Sequence, residues 1–254
     1  MEILQAFKQE NFSQYSVFLQ REVVFDVYIP QGHFERNTLL LLNDGQDLAQ
    51  LGYTGILQDY LLHSEGKGLW TVAIHANKNK VQEYGTASYM EAEGRGSKAD
   101  LYTRFIIKEL LPFLKHFFHR DWEHKAFAGF TFGGLSALDI VWNHPDIFDR
   151  AGVFSGMLGW SCNRDVANEC RVMHRQVKKG AFRQHLAFFF EYPDNARAND
   201  LVSSHTLDLI KLMKEKGYKL REQLHLEKIK GGKDDYATWA TAMPRFLNWL
   251  GGMG

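Results

Sequence analysis

The 254-residue chain has no net charge, with 30 Lys and Arg balanced by 30 Asp and Glu. Without an excess of either sign it has no overall attraction to a polyanion or an anionic bilayer, so nucleic acid and membrane are not expected partners. Cysteine is scarce: Cys162 and Cys170 are the two in the sequence. That is too few for a disulfide framework, and it falls short of the four ligands that a structural zinc site takes. No apolar run approaches the ~20 residues that cross a bilayer. The opening Met1-Glu2-Ile3-Leu4-Gln5 lacks the cationic start and apolar stretch of a secretory signal. Two reduced thiols and a cytoplasmic location follow as expectations. No internal repeat or low-complexity linker interrupts the chain, so one domain over residues 1–254 is expected.

Apolar side chains are plentiful, 45% of the sequence with 19 Phe among them, enough for a deep core at this length. Their spacing alternates between two periods. Glu22–Pro30 partly alternates and stops at proline, which suggests an early edge strand. Thr38–Leu42 and Leu69–Ile74 are continuous apolar runs, as in strands buried on both faces. Further strand patterns lie at Lys125–Gly129, Ala151–Ser155, Leu186–Glu191 and Leu224–Ile229. Helical periods fall at Ile56–Leu62, Ala99–His119, Leu135–Trp142, Leu201–Lys216 and Tyr236–Leu250. Pro112 should kink or divide the second of these, and Gly251-Gly252 reads as a stop after the last. Residues 75–98 read as a long polar loop, and Gly156–Gly180 as an irregular excursion of about 25 residues above the sheet.

Strands alternating with helices specify an α/β fold around a mostly parallel central sheet with helices on both faces. Ligands bind such sheets beyond the carboxyl ends of the strands. The loops after Leu42, Ile74, Gly129, Ser155, Glu191 and Ile229 should therefore converge.

One of these loops carries a chemical motif. Gly129-Phe130-Thr131-Phe132-Gly133 has the frame Gly-x-Ser-x-Gly, in which a strand turns sharply into a helix and lifts a hydroxyl above the sheet. Threonine takes the serine position. Five further segments stand in a familiar order: Leu40–Asp47 with its Asp44-Gly45-Gln46 turn, Phe105–Pro112, His144–Phe148, Phe154-Ser155-Gly156, and Gly231-Gly232-Lys233-Asp234-Asp235-Tyr236-Ala237-Thr238-Trp239. Together they resemble the esterase-D-like branch of the α/β-hydrolases, which includes enterochelin esterases, feruloyl esterases and acyl-glutathione hydrolases.

The resemblance implies a serine, a histidine and a carboxylate at defined places. Thr131 stands in the serine slot. The histidine slot holds Asp234 when Trp239 sets the alignment, and Lys233 when Gly231-Gly232 sets it. The acid falls on Asp194 or Asp200, beyond the strand that ends near Glu191. Backbone N–H groups of Phe132 and of the Gly45-Gln46 turn would form the oxyanion hole. His75 and His205 are the imidazoles best placed to stand in for the missing base. Glu83, Tyr84, Arg95 and Trp160 lie in the loops expected to roof the site.

A β-branched residue fits the strained elbow poorly, and a carboxylate with a pKa near 4 is a weak base for an alcohol. The expectation is a degenerate esterase-fold protein that keeps a pocket for a small-molecule ester or acyl ligand, with no cofactor and with a homodimer left open. The alternative is an active carboxyl-ester hydrolase using Thr131 and an atypical base such as Lys233 with a lowered pKa.

Overall fold

In a computed structural model, residues 5–91, 94–160, 171–194 and 201–252 are described. Cys162, Cys170 and the candidate acid Asp200 lie outside them. Eight strands form one sheet in the order β1-β2-β4-β3-β5-β6-β7-β8: β1 (Phe7–Ser16), β2 (Arg21–Pro30), β3 (Arg36–Asn43), β4 (Lys67–Ile74), β5 (His124–Phe130), β6 (Arg150–Phe154), β7 (Ala187–Asp194) and β8 (Leu224–Lys230). β2 pairs antiparallel with both β1 and β4, and every other pairing is parallel. The fold is thus the mostly parallel α/β-hydrolase sheet.

The apolar run of β3 shows how the sequence builds these layers. Leu39 and Leu41 enter the core on one face and Leu40 and Leu42 the core on the other, all four fully buried. The first face is covered by α3 (Ala99–Phe105), α4 (Leu111–Phe117), α5 (Thr131–Asn143), α6 (Val172–Lys179) and α7 (Leu201–Glu215). The second is covered by α1 (Tyr53–His63) and α8 (Tyr236–Gly252). A one-turn helix, α2 (Lys80–Glu83), interrupts the 75–98 loop.

Three expectations need correction. The edge strand is β1, not the segment ending at Pro30; β1 was invisible because its side chains are mostly polar and solvent-facing. Pro30 is tolerated because it closes β2. The excursion after β6 is not irregular throughout, since 172–179 is helical with Val172, Met173 and Val177 buried. Gly251 and Gly252 belong to the last turn of α8 rather than stopping it. Pro112 does divide its helix: a π-turn over Ile106–Leu110 precedes it, and Pro112 lies in the first turn of α4, where its missing N–H costs little.

Candidate active site

Three adjacent parallel strands, β3, β5 and β6, are each followed directly by a non-glycine residue with left-handed backbone: Asp44 (φ 60°), Thr131 (φ 44°) and Ser155 (φ 47°). Each such residue costs roughly 1–3 kcal/mol and persists only where its surroundings impose it. Strain is therefore concentrated where the parallel sheet presents its carboxyl ends, which is where ligands bind such sheets.

Around Thr131 the elbow is held by close backbone packing. A Cβ on Gly129 would lie 2.5 Å from the carbonyl carbon of Gly133, and one on Gly45 equally close to the Ala73 backbone. Both glycines are required by contact, Gly129 against the start of α5 and Gly45 against β4. A Cβ on Gly133 would meet Asp44 Oδ2 at 2.9 Å and Asn43 Cβ at 3.0 Å, so the turn after β3 packs closely on the start of α5. Asn43 fastens the two, donating from Nδ2 to Gly133 O (2.8 Å) while accepting from Tyr102 Oη at Oδ1 (2.6 Å). The Asp44 N–H donates to Tyr84 Oη at 3.3 Å. Burial holds the Tyr84 and Tyr102 phenols well above their ordinary pKa, so both remain neutral donors. Met157 N–H caps the Thr131 carbonyl at 3.0 Å. The Phe132 N–H lies in the first turn of α5, where amides have no intrahelical partner. On the other side the Gln46 side chain accepts from Ala76 N–H, tying the turn to the end of β4.

The Asp44 carboxylate is buried and paired with Lys80 Nζ at 2.9 Å. Burial nevertheless outweighs that pairing and raises its pKa. The segment that carries Lys80 and Tyr84 is clamped by Glu83, 1% exposed, which binds Arg21 of β2 through both carboxylate oxygens at 2.8 and 2.6 Å. Above the elbow, the Arg95 guanidinium lies 5.6 Å from the Phe132 ring centroid and 5.4 Å from that of Trp160. Of the four roof residues expected, Tyr84, Arg95 and Trp160 gather around Phe132; Glu83 instead faces Arg21.

The base and acid slots are arranged differently from an esterase triad. The Lys233 side chain is exposed, and its backbone N–H donates to Thr238 Oγ1 at 2.8 Å. Asp235 accepts from Thr238 N–H and caps α8. Asp194 pairs with Lys228 at 2.9 Å. His75 Nε2 faces Asp26 of β2 at 2.7 Å, and His205 packs against Gly159. All eleven histidines lie among the described residues, and no hydrogen bond joins any of them to Thr131 Oγ1.

Sequence reasoning missed Glu191. Read as a strand residue, it is a fully buried carboxyl within β7, in register with Phe154 at the end of β6. It accepts from Ser155 Oγ at 3.1 Å, and Trp239 Nε1 donates to that same oxygen at 3.1 Å. Burial drives its pKa up to about 8; Asp234 and Glu227 push it in the same direction, against the Ser155 hydrogen bonds. The signal available was a lone acidic residue closing the run Phe188-Phe189-Phe190.

A family model described as "Putative esterase" matches residues 16–244. The chain belongs to that family. Among solved structures, a ferulic acid esterase superposes with a TM-score of 0.72 at 16% identity, covering 97% of this chain and 98% of its own. The enterobactin esterase of Shigella flexneri gives 0.75 at 18%, covering 98% of this chain but 60% of that longer one. The S-formylglutathione hydrolase of Agrobacterium tumefaciens gives 0.71 at 16%, covering 99% and 97%. At these identities the likeness is one of fold. No curated protein sequence matches the chain.

Proposed function

We propose that this member of the esterase family is catalytically degenerate and keeps its elbow as a cradle for a small-molecule ester or acyl ligand. What supports the reading is the threonine hydroxyl at the elbow with no imidazole bonded to it among the described residues. An alcohol with a pKa far above neutrality needs an adjacent base to become a nucleophile. Losing nucleophile or base in serine hydrolases costs about 10⁴–10⁶-fold in turnover, and here both slots carry other residues. The donors of the oxyanion hole are backbone groups, which side-chain replacement leaves in place. Their supports, Asn43, Tyr102, Gly129 and Gly133, are intact and buried.

The test is hydrolysis of short-chain p-nitrophenyl esters by the wild type, Thr131→Ala and Thr131→Ser/Asp234→His. The wild type and the alanine variant should give the same background rate, and turnover should emerge in the double variant. Wild-type turnover abolished by Thr131→Ala would show a working threonine nucleophile and end the degenerate reading.

A further inference from the structure

Trp160 is 2% exposed, and its indole Nε1–H is buried without a hydrogen-bond acceptor among the described residues. A buried donor left unpaired costs about 1–3 kcal/mol, so a tryptophan kept in this position calls for a partner. Its surroundings are tightly specified. The ring lies 4.9 Å from that of Phe132, the residue after Thr131. It also fits so closely against the loop before α3 that a Cβ on Gly96 would stand 2.9 Å from Cζ2. Arg95, between two glycines with left-handed backbone (Gly94, φ 77°, and Gly96, φ 74°), lays its guanidinium over both rings. Its Nη2 reaches Met157 Sδ at 3.5 Å, so the same cation touches the segment that caps Thr131.

The Arg95 guanidinium and the Trp160 ring both pack on Phe132, whose N–H belongs to the first turn of the 13-residue α5. A cation, an indole N–H and helix-start amides are thus carried by groups in mutual contact, and all of them are donors. We propose that this cluster is a subsite for the carboxylate of a small organic acid, so that the ligand of the elbow cradle carries an anionic group. This rests on the cradle reading above and names its ligand class. Glu91 decides between a carboxylate and a phosphate. Its Oε2 lies 3.3 Å from Arg95 Nη1 and already offsets much of the guanidinium charge. A monoanion can take up the remaining donors, whereas a phosphate dianion would meet Glu91 as a like charge. The planar carboxylate also matches the guanidinium fork, and the apolar walls of Phe132, Trp160 and Met157 suit a flat organic body.

Sodium benzoate is the probe, with methyl benzoate and inorganic phosphate as the neutral and dianionic arms. Binding is followed through the Trp160 indole N–H resonance and by calorimetry. Benzoate should shift that resonance saturably, and Arg95→Met and Trp160→Phe should each weaken benzoate affinity by calorimetry about tenfold or more, as expected for hydrogen bonds to a charged group. Arg95→Lys should fall between. Trp160→Phe keeps an aromatic ring and decides the matter if Arg95→Met does not fold. Equal binding of methyl benzoate, preference for phosphate, an unmoved indole resonance, or benzoate affinity indifferent to both substitutions would each overturn the proposal. Ester turnover is read on Thr131→Ala, and benzoate affinity on the Arg95 and Trp160 variants. Ester turnover dependent on Thr131 would therefore refute degeneracy while leaving the subsite standing, and lost benzoate binding would do the converse.

Discussion

Replacing Thr131 by glycine should stabilise the protein. Threonine is held at φ 44°, a conformation that costs a β-branched residue about 1–3 kcal/mol. Glycine removes that strain but surrenders roughly 0.5–1 kcal/mol of unfolded-chain entropy. The Thr131 side chain is half-buried and makes no hydrogen bond among the described residues, so its lost methyl contributes about 0.4 kcal/mol, half the value of a buried methylene. With the strain taken at the middle of its range, the balance is a gain of about 1 kcal/mol, or roughly 2–4 °C in Tm for a chain of this size. Asparagine, which tolerates left-handed backbone without glycine's entropy loss, should gain at least as much. Valine keeps the branch and should stay within about 0.5 kcal/mol of wild type. Urea unfolding with an unchanged m-value measures the series. Glycine and asparagine variants both less stable than wild type would mean that the threonine side chain makes contacts worth more than the strain, and the argument from strain would fail.

Two other substitutions probe the supports of the site. Tyr102→Phe strands the buried Asn43 Oδ1 and should cost about 1–3 kcal/mol, with faster hydrogen exchange at the Asp44–Gln46 amides as the local readout. Glu191→Gln addresses pH. A carboxyl raised to about 8 in the fold from an ordinary 4.5 releases its proton later than in the unfolded chain. Over that window the native state binds more protons, so stability falls as pH rises, by at most about 1.4 kcal/mol per pH unit for one group. The glutamine variant should flatten the decline between pH 5 and 8 in denaturation curves, and an unchanged slope would assign it to other groups.

The sheet was legible where burial on two faces writes a continuous apolar run, as at Leu39–Leu42, and where a glycine frame marks a turn, as at Gly129–Gly133. β1 was not, because an edge strand facing water needs few apolar residues, and its polar pattern matches that of a loop. The helix at Val172–Lys179 hid for a similar reason, with Arg175, Lys178 and Lys179 exposed around a thin buried stripe. In the site, backbone features could be read and side-chain partnerships could not. Thr131 and the turn at Gly45 follow from local motifs. Tyr102 with Asn43 and Arg21 with Glu83 are joined across 59 and 62 residues, and no periodicity encodes such pairs. Glu191 was obscured because an acid at a strand end is ordinary until the tryptophan and serine that enclose it are seen.

The Arg21–Glu83 pair bears on how relatives of this chain can be recombined. The segment over the elbow looks like an interchangeable cassette, since it runs between β4 and α3 and touches the ligand side. Yet its anchor is an arginine at the start of β2, separated from the cassette by β3, α1 and β4. A transplant of residues 75–98 alone would carry a sealed glutamate into a host with no counter-ion waiting, at a cost of several kcal/mol. Specificity swaps between members should therefore move the amino-terminal hairpin together with the loop.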